Sequence, residues 1–243
     1  MSLLKHFRSS ETRTALRLQR VARWDRPIEG MRGRISAWFN MLFVDYGVFR
    51  LAYLNLHTVC EGRLWRSAQP APHHIAQFAA KGVRTIVNLR GVRDHGAWQL
   101  QKEACDRFGI TLVEFMLHSR DAPKKETLLA ARSFFDSIAY PAVMHCKSGA
   151  DRAGLAAALF LILHEGRPVR EAAGQLSLRY GHFRFAKTGI IDAFFAEYLK
   201  AGEPKGQDFI DWVEHDYDPD RLKATFKTGF WSTFFVDGLM RRE

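Results

Sequence analysis

The octapeptide His145-Cys146-Lys147-Ser148-Gly149-Ala150-Asp151-Arg152 sets a thiol and a guanidinium apart by five residues, with a glycine between them. Ala142-Val143-Met144, just before it, is short, apolar and preceded by Pro141, which predicts a buried strand. Ala153 to His164, just after it, predicts a helix closed by Gly166 and Pro168. The octapeptide therefore joins the end of a strand to the start of a helix. Backbone N–H groups in a first helical turn lack intrahelical acceptors and form an anion site with those of the preceding turn. Lys147, Ser148, Gly149, Ala150 and Asp151 are expected to line that cradle, with Gly149 giving the backbone freedom to curl. Arg152 brings a planar fork of donors that matches two phosphate oxygens. Cys146 sits where the same dipoles favour a thiolate, poised under a bound phosphorus. The chemistry expected is phosphoryl transfer to sulfur, with Arg152 stabilising charge on the equatorial oxygens.

The elements around this loop alternate. Leu64 to Ser67 reads as a strand, Pro72 to Lys81 as a helix and Arg84 to Leu89 as a strand. A helix over Ala97 to Phe108, a strand over Ile110 to Phe115 and a helix over Lys125 to Ala139 follow. Helices near Val169 to Tyr180, Thr188 to Lys200 and Asp208 to His215 come after the loop. This predicts an α/β fold of three layers, a central, mostly parallel sheet flanked by helices, with extra N- and C-terminal helical segments. Ligands of such sheets bind beyond the carboxyl ends of the strands. Cys146, Arg90 and the Asp121 loop all fall there.

His145-Cys146-x5-Arg152 resembles the signature of the cysteine-dependent protein tyrosine phosphatase superfamily, and of its compact dual-specificity members above all. Leu64-Trp65-Arg66-Ser67-Ala68-Gln69-Pro70 and Gly82-Val83-Arg84-Thr85-Ile86-Val87-Asn88-Leu89-Arg90 are similar to bacterial members of that group. The resemblance covers roughly residues 60–200. It implies a metal- and cofactor-free, two-step reaction. Cys146 takes the phosphoryl group while an acid protonates the leaving oxygen, and water then hydrolyses the cysteinyl phosphate. The family commonly carries Ser or Thr after the arginine, where this chain has Ala153; Ser148 is the hydroxyl nearest in sequence.

Three aspartates compete for the acid. Asp121, in His118-Ser119-Arg120-Asp121-Ala122-Pro123, occupies the slot where the family places its acid loop, and is the first choice. Asp151, within the cradle, is the second, and Asp94 the third. As ordinary structure, Asp121 would be a turn carboxylate, Asp151 a loop brace and Asp94 a helix cap.

Nine Lys or Arg against three Asp or Glu in residues 1–34 supply +6 of the net charge of +10. That basic arm is expected to be drawn to anions or simply solvated. Residues 35–59 are expected to form an amphipathic helical segment, with Trp38, Leu42, Tyr46, Phe49, Tyr53 and Leu56 packed on the core or, alternatively, lying on a bilayer. Asp45 and Arg50 interrupt it and argue against a spanning helix. Residues 60–200 form the catalytic domain and 201–243 a C-terminal helical extension, whose Phe230 to Asp237 run is expected to pack with the N-terminal segment. Three scattered cysteines and no signal-peptide pattern predict a reducing, cytoplasmic setting, with peripheral contact at the inner face of a membrane.

The function expected is phosphomonoester hydrolysis. The substrate is a phosphotyrosine or phosphoserine/threonine protein, or an anionic phospholipid or inositol phosphate. A phosphate-binding pseudophosphatase or interaction module is the alternative. A rhodanese-like sulfur transferase fits less well, because its loop lacks the arginine. Nucleic acid is not an expected partner, since the charge gathers at one end without a recognisable module.

Overall fold

The computed structural model describes residues 10–91 and 95–227. Five strands among them, β1 (His57–Cys60), β2 (Leu64–Ala68), β3 (Thr85–Asn88), β4 (Thr111–Glu114) and β5 (Ala142–Cys146), form one sheet ordered β1-β2-β5-β3-β4. All neighbouring pairs are parallel except β1 with β2. The middle strand β5 is buried along its whole length, as its continuous apolar run demands. Its side chains still alternate between two cores: Ala142, Met144 and Cys146 face one, Val143 the other. Register sets Cys146 beside Ala68, and His145 beside Ser67 and Asn88.

The N-terminal segment holds α1 (Ser10–Trp24), α2 (Gly30–Phe39), a π turn (Asn40–Val44) and α3 (Gly47–Ala52). The helices α4 (Pro72–Ala80) and α5 (Gly96–Phe108) cover one face of the sheet. The other face carries α6 (Lys125–Ser137), α7 (Asp151–Leu163), α8 (Val169–Ala172), α9 (Ile190–Ala201) and α10 (Phe209–His215). Residues 219–227 are helical as well. The small residues Ala153, Gly154, Ala156, Ala157 and Ala158 let α7 sit deep in that layer. Trp24, Ala37 and Met41 pack the N-terminal helices against Ala97 and Leu100 of α5.

The three-layer α/β architecture is the one the sequence predicts. Three local expectations change. The strand β1 was not foreseen, being four residues of mixed polarity at a sheet edge. The helix expected from Val169 to Tyr180 stops at Ala172 and gives way to 3-10 turns, where Gly174 and Ser177 interrupt it. The segment expected as one amphipathic helix is broken. Tyr46 takes a left-handed φ of 56°, and Gly47 lies so close to the Met41 carbonyl that no Cβ fits. Its burial is mixed: Trp38 and Leu42 pack on the core as expected, but Tyr46, Phe49, Tyr53 and Leu56 face outward while Asp45 and Arg50 are buried. The Phe230 to Asp237 run lies outside the described residues.

Candidate active site

The loop between β5 and α7 is held from behind by its own carbonyls. Arg66, fully buried on β2, donates to the carbonyls of Gly149 at 2.9 Å and Ala150 at 2.7 Å. Its other nitrogen reaches the Gln175 carbonyl at 2.6 Å, and its guanidinium lies 4.2 Å from the Tyr180 ring centroid. Asn55 donates to the Ser148 carbonyl and the Tyr180 carbonyl, both at 2.9 Å. Gly149 has φ 76°, and a Cβ there would come within 2.6 Å of the Ala68 nitrogen, so position 149 admits only glycine. Three successive carbonyls thus point outward to fixed donors. Among the described residues, no acceptor meets the N–H groups of Ser148, Gly149 and Ala150. The concave side of the loop presents donors, which is what an anion cradle requires.

Cys146 ends β5 at the base of this loop and is 2% exposed. Arg50 and Arg66 both act on it electrostatically. Burial lowers the Arg66 pKa to about 10, with Cys146, Tyr180 and Asp151 opposing, so Arg66 stays charged at neutral pH. Arg152, in the first turn of α7, is half-buried and has no hydrogen-bond or ion-pair partner among the described residues. Ser148 is exposed, and Ala153 is wholly buried in the core.

A second cluster sits beside the loop. Asp45, 0% exposed, accepts from Arg90 at 2.7 and 2.9 Å and from Arg50 at 2.8 Å. Its carboxylate also lies 3.3 Å from the Lys147 ammonium and 3.7 Å from His95 Nε2. Burial alone would raise the Asp45 pKa; the hydrogen bond and charge of Arg90, with Arg50 and His95, hold it far below the usual carboxylate range. Arg90 Nη1 also donates to Gln69 Oε1, Gln69 donates to Gln101 Oε1 at 3.2 Å, and Gln101 donates to His145 Nε2 at 2.6 Å. Burial pushes His145 down to about 3, so it is neutral and serves as the end of this chain.

The start of α7 is fixed in turn by His182. Its Nδ1 meets Asp151 at 2.7 Å and its Nε2 meets Asp192 at 2.6 Å. Burial lowers the His182 pKa, but the two carboxylates outweigh it and carry the pKa up to about 9. The connection after Tyr180 therefore buries its histidine at 1% exposure.

The predicted residues Cys146, Lys147, Ser148, Gly149, Ala150, Asp151 and Arg152 are gathered in one loop. Asp121 is apart from it. It follows β4 in a stretch tied to β3's end by the Leu117 N–H on the Leu89 carbonyl at 3.2 Å. Its carboxylate pairs with Lys223 at 2.8 and 2.9 Å, and that hydrogen bond lowers its pKa. Asp94 lies outside the described residues. Sequence reasoning missed Asp45, Arg50, Asn55, Gln101 and Lys223 as partners of the site. A charged pair inside an otherwise apolar stretch was the available signal for the first two.

Residues 53–191 match the family described as DSP-PTPase phosphatase fused to NAD+ kinase, over more than half of the chain. Among solved structures, TpbA of P. aeruginosa is 21% identical, with 72% of this chain and 91% of that chain covered and a TM-score of 0.48. The core catalytic domain of the PP-IP phosphatase SIW14 from S. cerevisiae is 15% identical, covering 63% and 92%, with a TM-score of 0.47. No curated protein matches the chain. On the family match, this chain belongs to the DSP-PTPase phosphatases and is a cysteine-dependent phosphatase of the protein tyrosine, dual-specificity type.

Proposed function

We propose that the chain hydrolyses phosphomonoesters through a cysteinyl phosphate on Cys146. The observation that carries this reading is the cradle itself: outward carbonyls locked by Arg66 and Asn55, unanswered N–H groups inside, and an unpaired Arg152 at its edge among the described residues. The Cys146 sulfur, as thiolate, forms a bond to phosphorus as the ester P–O bond breaks. The leaving oxygen takes a proton from an acid. A water oxygen then attacks the same phosphorus, the S–P bond breaks back to thiolate, and the acid's conjugate base takes the water proton. Arg152 and the loop N–H groups hold the three equatorial oxygens throughout.

Asp121 fills the acid role best among the described carboxylates. Asp45 is locked by Arg50 and Arg90, and Asp151 by His182. Asp121 is held by one surface lysine, with side-chain exposures of 48% and 38%, a pairing of the kind worth about 0–1 kcal/mol.

The ammonium of Lys147 and the guanidinium groups of Arg50 and Arg90 surround the single carboxylate of Asp45 at the loop's edge. This surplus of positive charge favours substrates with more than one anionic group: phosphoproteins with acidic neighbours, phospholipid headgroups or inositol phosphates. A reducing compartment suits the three free cysteines. A phosphate-binding pseudophosphatase is the second reading, favoured by Ala153, which offers no hydroxyl where the sequence resemblance leads one to expect it. Turnover of p-nitrophenyl phosphate, followed by a screen of phosphopeptides, inositol phosphates and phospholipids with Cys146→Ser as blank, tests both. Turnover lost in that variant supports the enzyme; tungstate binding without turnover supports the pseudophosphatase.

A further inference from the structure

The segment 30–53 packs Trp38 and Leu42 on the core yet leaves a second apolar face uncovered. Ala37, Met41, Asp45, Gly47 and Arg50 are turned into the protein, whereas Ile35, Phe39, Phe43, Phe49 and Tyr53 are exposed, Phe49 to 71%. Along α2 and the π turn, Met31, Ile35, Phe39 and Phe43 recur every fourth residue and form one outward stripe. Phe39 and Phe43 already lie against each other, with ring centroids 5.0 Å apart. Eleven of the seventeen large exposed hydrophobic side chains among the described residues fall between 31 and 56, so this is a patch and not a scatter of single residues. A surface of that kind calls for an apolar occupant.

Charge selects which one. Arg32 flanks the stripe on α2 itself, where Arg34 is paired with Glu103 at 3.0 Å, and Arg20 and Arg26 are exposed just before it. Aromatic residues rimmed by arginine match the boundary between acyl chains and anionic headgroups. A second copy seated on the same face would bring these arginines together. The patch also adjoins the cradle. Exposed Tyr46 lies under the Lys147 ammonium, 5.1 Å from ring centroid to nitrogen, and Lys147 follows Cys146. The Asp45 cluster stands between the patch and the cradle, so docking by this face brings the loop to the headgroup plane.

We propose that residues 31–53 form a docking face for an anionic phospholipid surface, holding the phosphate cradle at the membrane boundary. No helix among the described residues is long and apolar enough to cross a membrane, so the contact is one of lying on the surface. Docking does not depend on the catalytic reading, because no residue of the stripe takes part in the proposed reaction.

Flotation of the full chain with vesicles tests this, comparing phosphatidylcholine alone with phosphatidylcholine containing phosphatidylglycerol. Wild-type protein and Cys146→Ser are expected to float with the anionic vesicles equally. Phe39→Ser/Phe43→Ser/Phe49→Ser is expected to bind at least about tenfold more weakly, with p-nitrophenyl phosphate turnover unchanged. Arg26→Glu/Arg32→Glu is expected to bind anionic vesicles no better than neutral ones. Should the triple variant lose its helical circular dichroism, Ile35→Asp alone carries the same expectation. Wild-type protein that stays with neither vesicle overturns the proposal, and so does equal binding by the serine variant. A dimer that the serine variant makes monomeric, without vesicle binding, assigns the face to a second copy and overturns it too.

Discussion

Asp45 accepts both arms of the Arg90 guanidinium, at 2.7 and 2.9 Å, although the two residues lie 45 positions apart, one before β1 and one after β3. The pair ties the N-terminal segment to the end of β3, next to the phosphate loop. Removing the carboxylate leaves Arg50 and Arg90 buried and uncompensated. Asp45→Asn is expected to lower unfolding free energy by about 3 kcal/mol or more in urea titration. A loss below about 1 kcal/mol would show that water relieves the guanidinium groups. The lowered Asp45 pKa adds an acid dependence. Its stabilisation is complete above the ordinary carboxylate range and is lost progressively as pH falls below that range toward the depressed folded value, so wild type and variant should draw together only in strong acid.

Arg66 shapes the loop without touching substrate. Arg66→Met removes its bonds to Gly149, Ala150 and Gln175. A loop displaced by about 1 Å costs on the order of a hundredfold in rate. Steady-state kinetics should therefore show kcat/KM falling by about that much. Arg66→Lys should rescue little, because an ammonium cannot span the same acceptors. Full rescue by lysine would leave only a requirement for charge.

His182 makes the fold sensitive to base. Its folded pKa, about 9, lies above the ordinary value of 6.5. The stability it supplies is whole below pH 6.5 and is lost as pH rises through 9. Relative to His182→Gln, the wild-type melting temperature should be higher at about pH 6 and the gap should close by about pH 9. A gap independent of pH would mean that the imidazole is neutral between Asp151 and Asp192.

Lys223 holds Asp121 in the carboxylate form. Lys223→Met should raise the Asp121 pKa of the free enzyme and move the basic limb of the kcat/KM profile to higher pH. Asp121→Asn should abolish that limb and slow substrates with basic leaving groups most. An unchanged leaving-group dependence in Asp121→Asn removes Asp121 from the reaction.

Much of this architecture was legible in the residues. The apolar run into Cys146, the glycine in the loop and the alternating strand and helix patterns all act locally, and α4, α5, α6, β5 and α7 lie within a few residues of expectation. The segment 30–53 was not legible, for a physical reason. Helical periodicity identifies which residues share a face, and inference then sends the apolar face inward. Here Asp45, Arg50 and Arg90 satisfy one another inside, and Tyr46, Phe49 and Tyr53 are left outside. The Asn55, Arg66 and Gln101 braces escaped for a related reason. They act across 44 to 125 positions of sequence, where spacing carries no information.

Sulfur attack at phosphorus is the central step of the proposed reaction. Rapid acid quench of the full chain during turnover of p-nitrophenyl phosphate, with peptide mass analysis, reads it directly. The expected result is one phosphoryl group on the peptide containing Cys146, absent from Cys146→Ser, which is itself inactive. Turnover that persists in Cys146→Ser, or a phosphoryl group found on any other residue, would contradict it.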